Sequence, residues 1–294
     1  MKNRVDEFIA NPRRALFALA APVAVAMFVQ TMYNIVDTAF VGRLGAVSIA
    51  ALTFAFPIFF ILISLNSGLG VGINSIISRL LGAKNKEEAE NAAAHGILMT
   101  AAFAVVVYLL GRLALGPLYS LFGAAPEVRA LSMSYMTIIL LSVLFMFPAY
   151  AINSIFAAQG DTRTPMIIQT FGFVLNTVLD PIFIYVLKLG VRGAAIATDI
   201  AIAFTLLAYI YFLRKRSYLR VHFRSFRFSS PIFREIIRVG APASLMMLTM
   251  SVYVMFLNGY MAHFGTDYVA AFGLATRLES FVSDIHAREH RIQA

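Results

Sequence analysis

Hydrophobic positions along this chain come in long blocks separated by short polar and basic stretches. Seven such blocks stand at residues 15–41, 48–78, 92–115, 130–157, 165–187, 193–213 and 239–262. An apolar helix needs about 20 residues to cross the hydrocarbon of a bilayer, so the pattern predicts seven membrane-spanning helices. The first block is too long for the apolar core of a removable signal, lacks a cleavage site, and reads as a span. Glycine and proline punctuate the blocks, as in Leu69-Gly70-Val71-Gly72, Phe147-Pro148 and Asp180-Pro181. Membrane helices tolerate such breaks where neighbouring helices or a cavity satisfy the freed backbone, and the breaks mark moving or binding segments.

Composition changes the picture only by fixing the solvent. With 60% hydrophobic and 13% charged residues, a chain of this length lacks the polar surface to cover itself in water. There is no tryptophan, so interfacial anchoring falls to tyrosine, and with no cysteine there is no disulfide, thiol nucleophile or thiolate metal site. The net charge of +9 lies in the loops and not on one basic face with interleaved aromatics, which argues against nucleic acid as a partner. Four Lys or Arg precede the first block, three lie in 79–86, one is Arg163, and eight lie between Arg214 and Arg238, sixteen on one side. The alternating loops hold five, at Arg43, Arg112, Arg129, Lys188 and Arg192. The positive-inside rule therefore places the N-terminus and the 214–238 segment in the cytoplasm, in a multi-pass protein of the plasma membrane.

An internal repeat appears at an offset of 220 residues. Ala21-Pro22 is echoed by Ala241-Pro242, Gly45 by Gly265, and Ala50-Ala51 by Ala270-Ala271. Six spans separate the copies, an even number, so the copies run parallel about an axis along the membrane normal, as in secondary transporters. The second copy stops early: after Arg277-Leu278-Glu279-Ser280-Phe281 the chain becomes too polar to cross lipid. The expected organisation is an N-terminal lobe of six helices over 1–213, a basic cytoplasmic linker over 214–238, and over 239–294 the seventh helix with a curtailed eighth.

The candidate chemistry is a set of polar side chains inside these blocks. A charge at mid-bilayer costs about 2.5–3.5 kcal/mol on insertion scales, so an aspartate there points to function. In the first block Gln30, Tyr33, Asn34 and Asp37 fall at i, i+3, i+4 and i+7 and form one polar stripe. In the fifth, Asn176 and Asp180 share a face, with Gln169 two turns earlier; Asn153 lies late in the fourth and Thr198 early in the sixth. Carboxylate, amide and hydroxyl oxygens from several helices suit a hard monovalent cation, and a buried carboxylate serves equally as a proton carrier. Against this stands the structural reading of a lone membrane Asn or Thr as an interhelical hydrogen bond. Asp199, near the sixth entrance, reads as solvated or capping, and Pro22 reads equally as a hinge or a helix starter. A two-aspartate protease is disfavoured, because Asp37 is flanked by Val36 and Thr38 and Asp180 is followed by proline; no enzyme activity is expected.

With those residues in place the sequence resembles the multidrug and toxic compound extrusion (MATE) transporters, in particular the prokaryotic DinF-like subgroup, over residues 12–281. The resemblance is carried by Gln30-Thr31-Met32-Tyr33-Asn34-Ile35-Val36-Asp37-Thr38 with Gly42-Arg43-Leu44-Gly45, by Gln159-Gly160-Asp161-Thr162-Arg163-Thr164-Pro165, by Leu175-Asn176-Thr177-Val178-Leu179-Asp180-Pro181, and by Gly193-Ala194-Ala195-Ile196-Ala197-Thr198. It implies an all-α integral membrane protein, here the six-helix N-lobe and the opening of the second lobe. It implies a monomeric antiporter, needing no cofactor, that exports amphipathic or cationic compounds against a sodium or proton gradient. It further implies an N-lobe coupling site, and a possible Na+ site, at Asp37, Asn176, Asp180 and Thr198, with Gln30, Tyr33, Asn34 and Asn153 lining the cavity and Pro22 as the hinge. The chain departs from the family in length, so a truncated, inactive fragment is an alternative; a lipid-linked precursor flippase ranks low, because the stripes are acidic and amide-rich.

Overall fold

The computed structural model describes residues 12–121, 125–221, 223 and 226–275. The polar tail that the sequence sets after Phe281, and most of the basic N-terminal stretch, lie outside them. Seven long helices follow in order: α1 Pro12–Gly42, α2 Ala46–Gly82, α3 Lys86–Leu121, α4 Pro126–Ala158, α5 Arg163–Pro181, α6 Val191–Arg216 and α7 Ser230–Ala262. Each carries a segment long and apolar enough to cross a membrane. The chain is thus a multi-pass all-helical membrane protein, and no strand occurs among the described residues. A further helical stretch occupies 266–275.

Helices α3, α4 and α7 start earlier than their apolar blocks, with charged residues in their opening turns. Helix α7 begins nine residues before the seventh block, with Pro231 in its first turn and Arg234, Glu235 and Arg238 on its polar opening turns. Proline supplies no N–H but costs nothing in the first turn of a helix, where that group lacks a partner in any case. At the other end of the fifth block, Pro181 closes α5 and the chain continues as a π-helical turn over Ile182–Val186, so the span is not interrupted.

Helix α2 lies at the centre, packed against α4, α3 and, most extensively, α7; α4 also packs on α6, and α1 lies against α5. Glycines set the closest of these approaches. A Cβ on Gly72 would run into the Ile236 carbonyl of α7, and Gly68 and Gly240 face one another with no room for side chains. The main core gathers Phe54, Ile58 and Leu62 of α2 with Met136, Ile139, Leu140 and Phe147 of α4. Outward, Leu113, Phe171, Val178 and Val186 stay more than half exposed, which is lipid-facing surface in a chain of this composition.

The 220-residue repeat has a structural counterpart. Helix α1 ends in a turn at Arg43-Leu44 and restarts after Gly45 at φ +106°; α7 ends in a turn at His263-Phe264 and restarts after Gly265 at φ +123°. Both glycines hold a left-handed φ that L side chains rarely adopt. Most of the backbone bonds correspond, as with Leu44 N–H to Val41 O and Phe264 N–H to Met261 O, each at 3.0 Å. Thr53 touches Gly273, its own counterpart in the second copy, and accepts a 2.9 Å bond on its carbonyl from the Asn258 amide.

Candidate functional site

The site grows from three helices that glycines pull together. Gly172, Asn176 and Asp180 occupy successive turns on one face of α5. A Cβ on Gly172 would strike the Thr205 hydroxyl, and one on Gly193 would strike the Phe183 backbone of the π turn. Helix α6 therefore rides directly on α5 and brings Thr198 opposite Asn176. Helix α1 is laid on the same group by Tyr33, whose ring stacks on Phe173 with centroids 5.0 Å apart and planes 21° apart.

A continuous chain of polar groups results. The Tyr33 and Thr198 hydroxyls lie 3.3 Å apart. The Asn176 amide is assigned from its surroundings: its nitrogen donates to Asp180 Oδ2 at 3.0 Å, and its oxygen accepts from the Thr198 N–H at 3.1 Å and from the Thr198 hydroxyl at 3.3 Å. Asp180 is wholly buried, Asn176 is 1% exposed, and Asp180 Oδ1 has no hydrogen-bond partner among the described residues. Asp37 of α1 is half-buried and lies within electrostatic range of Asp180 of α5, so charge on one acid disfavours charge on the other. That combination is unfavourable unless a proton or a cation shares the site.

The remaining expected residues stand outside this chain of hydrogen bonds. Gln30 and Asn34 are exposed on α1, and Asn153 is half-buried on α4 outside this hydrogen-bonded chain. Gln169 donates to the buried Tyr209 hydroxyl at 3.2 Å, an interhelical tie with no part in the acidic pair. Asp199 was expected to be solvated or capping and is neither: it is 8% exposed, faces the buried Ser142 of α4, and leaves Oδ1 without a partner. Helix α4 packs on α6 at Asp199, and the sequence alone does not show that. Pro22 is half-buried inside α1 rather than at its start, so it does not act as a first-turn proline.

Sequence reasoning missed Phe173 and Tyr185, whose hydroxyl donates to the Phe40 carbonyl and ties the π turn to the end of α1. Neither has a signal among so many aromatic residues. The repeat carries one, unread until the two copies are aligned. The positions matching Gln30, Asn34 and Asp37 in α7 are Met250, Val254 and Leu257, and only Tyr33 finds its like, in Tyr253. The acid thus belongs to the first copy alone. No group of three or more His, Cys, Asp or Glu side chains that could hold a metal ion occurs among the described residues. The oxygens at hand are those of hard-cation chemistry.

Comparison with known proteins places the chain. Over 270 residues it is 30% identical to a multidrug export protein, MepA, of Staphylococcus aureus, covering 91% of this chain and 60% of that protein. It is 29% identical to an FAD transporter of Shewanella oneidensis, covering 95% of this chain and 63% of that one. The structure superposes on a MATE family transporter of the MOP superfamily, solved facing outward, with TM-score 0.85 and 36% identity over 92% of this chain and 60% of that chain. The chain therefore spans about three fifths of the length of the curated relatives it matches. The MatE family model matches residues 22–182, more than half the sequence, and contains the whole of α2 to α5 with both acids of the site: the chain belongs to the MatE family.

Proposed function

We propose that this lobe couples the movement of sodium or a proton to the export of amphipathic or cationic compounds, through the pair Asp37 and Asp180. The observation that carries the proposal is the Asp180 carboxylate: fully buried, one oxygen unpartnered, with a second acid in range and an amide and a hydroxyl beside it. The donor set fits a bound cation. Asp180 and Asp37 supply charge, and the Asn176 and Thr198 oxygens supply neutral ligands, all hard. A proton on either acid removes the repulsion equally well. Tyr33 bridges α1 to Thr198, so neutralising the acids removes the repulsion across this bridge, tightens the contact between α1 and the α5–α6 pair and shifts the balance between two openings of the lobe. Coupling follows where the exported compound favours the opposite opening.

The N-terminus lies in the cytoplasm on this reading, with the basic 214–238 segment, and the antiporter works as a monomer. The names of the relatives, one exporting multiple drugs and one carrying FAD, support transport as the activity. Cells expressing the protein are loaded with ethidium and placed under an inward sodium gradient and, separately, an inward proton gradient. Gradient-driven efflux is expected with one of the two and is abolished by Asp37→Asn and by Asp180→Asn. Efflux unchanged in both variants would overturn the coupling proposal.

A further inference from the structure

The segment between α6 and α7 is fastened to the N-terminal half by side chains acting on its backbone. Gln159 Oε1 accepts from the Ser217 hydroxyl and the Tyr218 and Leu219 N–H groups at 3.0, 2.8 and 3.3 Å. Glu90 Oε1 accepts from the Arg220 N–H at 2.9 Å. Asn91 pairs with Arg227 as a strand neighbour would, its Oδ1 accepting from the N–H at 3.2 Å and its Nδ2 donating to the carbonyl at 3.0 Å. The last fastening is His95, 4% exposed, its ring tilted against Phe226 and Phe228 at centroid distances of 4.6 and 5.8 Å.

The two partners of His95 fix its protonation state. Nδ1 lies 2.9 Å from the Asn91 carbonyl, which only accepts, so Nδ1 carries the hydrogen. Nε2 lies 2.8 Å from the Ser229 N–H, which only donates, so Nε2 is bare. The bonded arrangement therefore requires a neutral imidazole in one tautomer. A second proton would set an Nε2–H against the Ser229 N–H, two donors and no acceptor, in a site closed to water. Ser229 is the N-cap residue of α7, and its side chain makes no capping bond, so His95 holds the residue from which α7 starts.

We propose that His95 is a pH-sensitive clasp: the neutral ring holds the connection between α6 and α7 against α3, and proton uptake unfastens it at Ser229. Several charged groups on the surrounding elements are engaged elsewhere. On α3, Glu90 takes the Arg220 N–H and Lys86, and Glu88 takes Asn85. On the connecting segment, Lys86 lies over the Tyr218 ring and the Arg227 backbone is held by Asn91. On α7, Glu235 pairs with Arg238 and with Arg79 of α2, and beyond α4 Asp161 takes Thr164. None of them ion-pairs with His95 among the described residues. The clasp therefore responds to protonation at Nε2 alone. It operates independently of the acidic pair.

The sequence has no cysteine, so Arg227→Cys creates a unique site for a spin label on the clasped segment. Label mobility in lipid nanodiscs is followed from about pH 8 down to about pH 5.5, spanning the imidazole range. The mobile fraction is expected to rise severalfold on acidification with His95 intact. It should stay low and flat in His95→Gln, whose amide oxygen accepts the Ser229 N–H and gains no proton, and stay high throughout in His95→Phe. A flat response with His95 present, or an equal rise in His95→Gln, overturns the proposal. Nitrogen-15 spectra of labelled histidine test it without substitution: His95 must show the Nδ1–H tautomer at high pH and lose its bare Nε2 as the label loosens, and the opposite tautomer refutes the clasp.

Discussion

Replacing Asn176 by leucine tests the polar chain at its central member, because the two side chains have similar size and only the hydrogen bonding is lost. Asp180 Oδ2 receives the Asn176 amide and Oδ1 has no partner, so Asn176→Leu strips the buried carboxylate of its hydrogen bonding among the described residues. A hydrogen bond to a charged group contributes about 1.5–3 kcal/mol. The bond between the Asn176 oxygen and the Thr198 hydroxyl adds the membrane average of about 0.6 kcal/mol, and the total loss is about 2–3.5 kcal/mol. The assay is reversible unfolding in mixed micelles, with and without sodium. The folded-to-unfolded ratio should fall by roughly 30- to 300-fold, which follows from about 1.4 kcal/mol per factor of ten, and any stabilisation by sodium should fall with it. A loss below about 0.5 kcal/mol, with sodium stabilisation intact, would show that Asn176 does not support Asp180 and refute the reasoning from the chain of contacts.

Two further substitutions test the frame around the site. Gly72→Val places a side chain against the Ile236 carbonyl of α7 and should cost about 1–3 kcal/mol by overpacking, read as a lower unfolding midpoint in detergent, whereas the same change at Gly116, where a Cβ meets nothing, should cost much less. Val106→Arg sets a charge on the exposed face of α3 near its middle and should reduce membrane insertion by about 2.5–3.5 kcal/mol in a translocon assay; insertion equal to the parent would mean that this face does not meet lipid.

The spans were legible because a bilayer imposes a length and a composition on every helix that crosses it, and no neighbour is needed to enforce either. The same holds for the stripe on α1 and the pair on α5, since helical periodicity alone sets Tyr33 beside Asp37 and Asn176 beside Asp180. Helix starts were less legible: α3 and α7 begin with charged turns outside the apolar blocks, where the hydrophobic signal has faded but backbone hydrogen bonding has not. Asp199 shows the limit most plainly. Its position near the end of an apolar block suggests water, yet α4 covers it, and burial depends on a helix some 50 residues away in sequence.

By itself the sequence determined the number of spans, their polar faces, the doubled motif around Gly45 and Gly265, and the acid Asp37 where the second copy has Leu257. These are local properties, written in composition and in periods of a few residues. The tertiary structure alone decided which faces meet: that Gly172 and Gly193 admit α6 close enough for Thr198 to reach Asn176, that Gln169 turns to Tyr209 instead, and that His95 closes on Ser229. A side chain's partner across helices depends on crossing positions fixed jointly by every packed residue, and no short stretch of sequence carries that information.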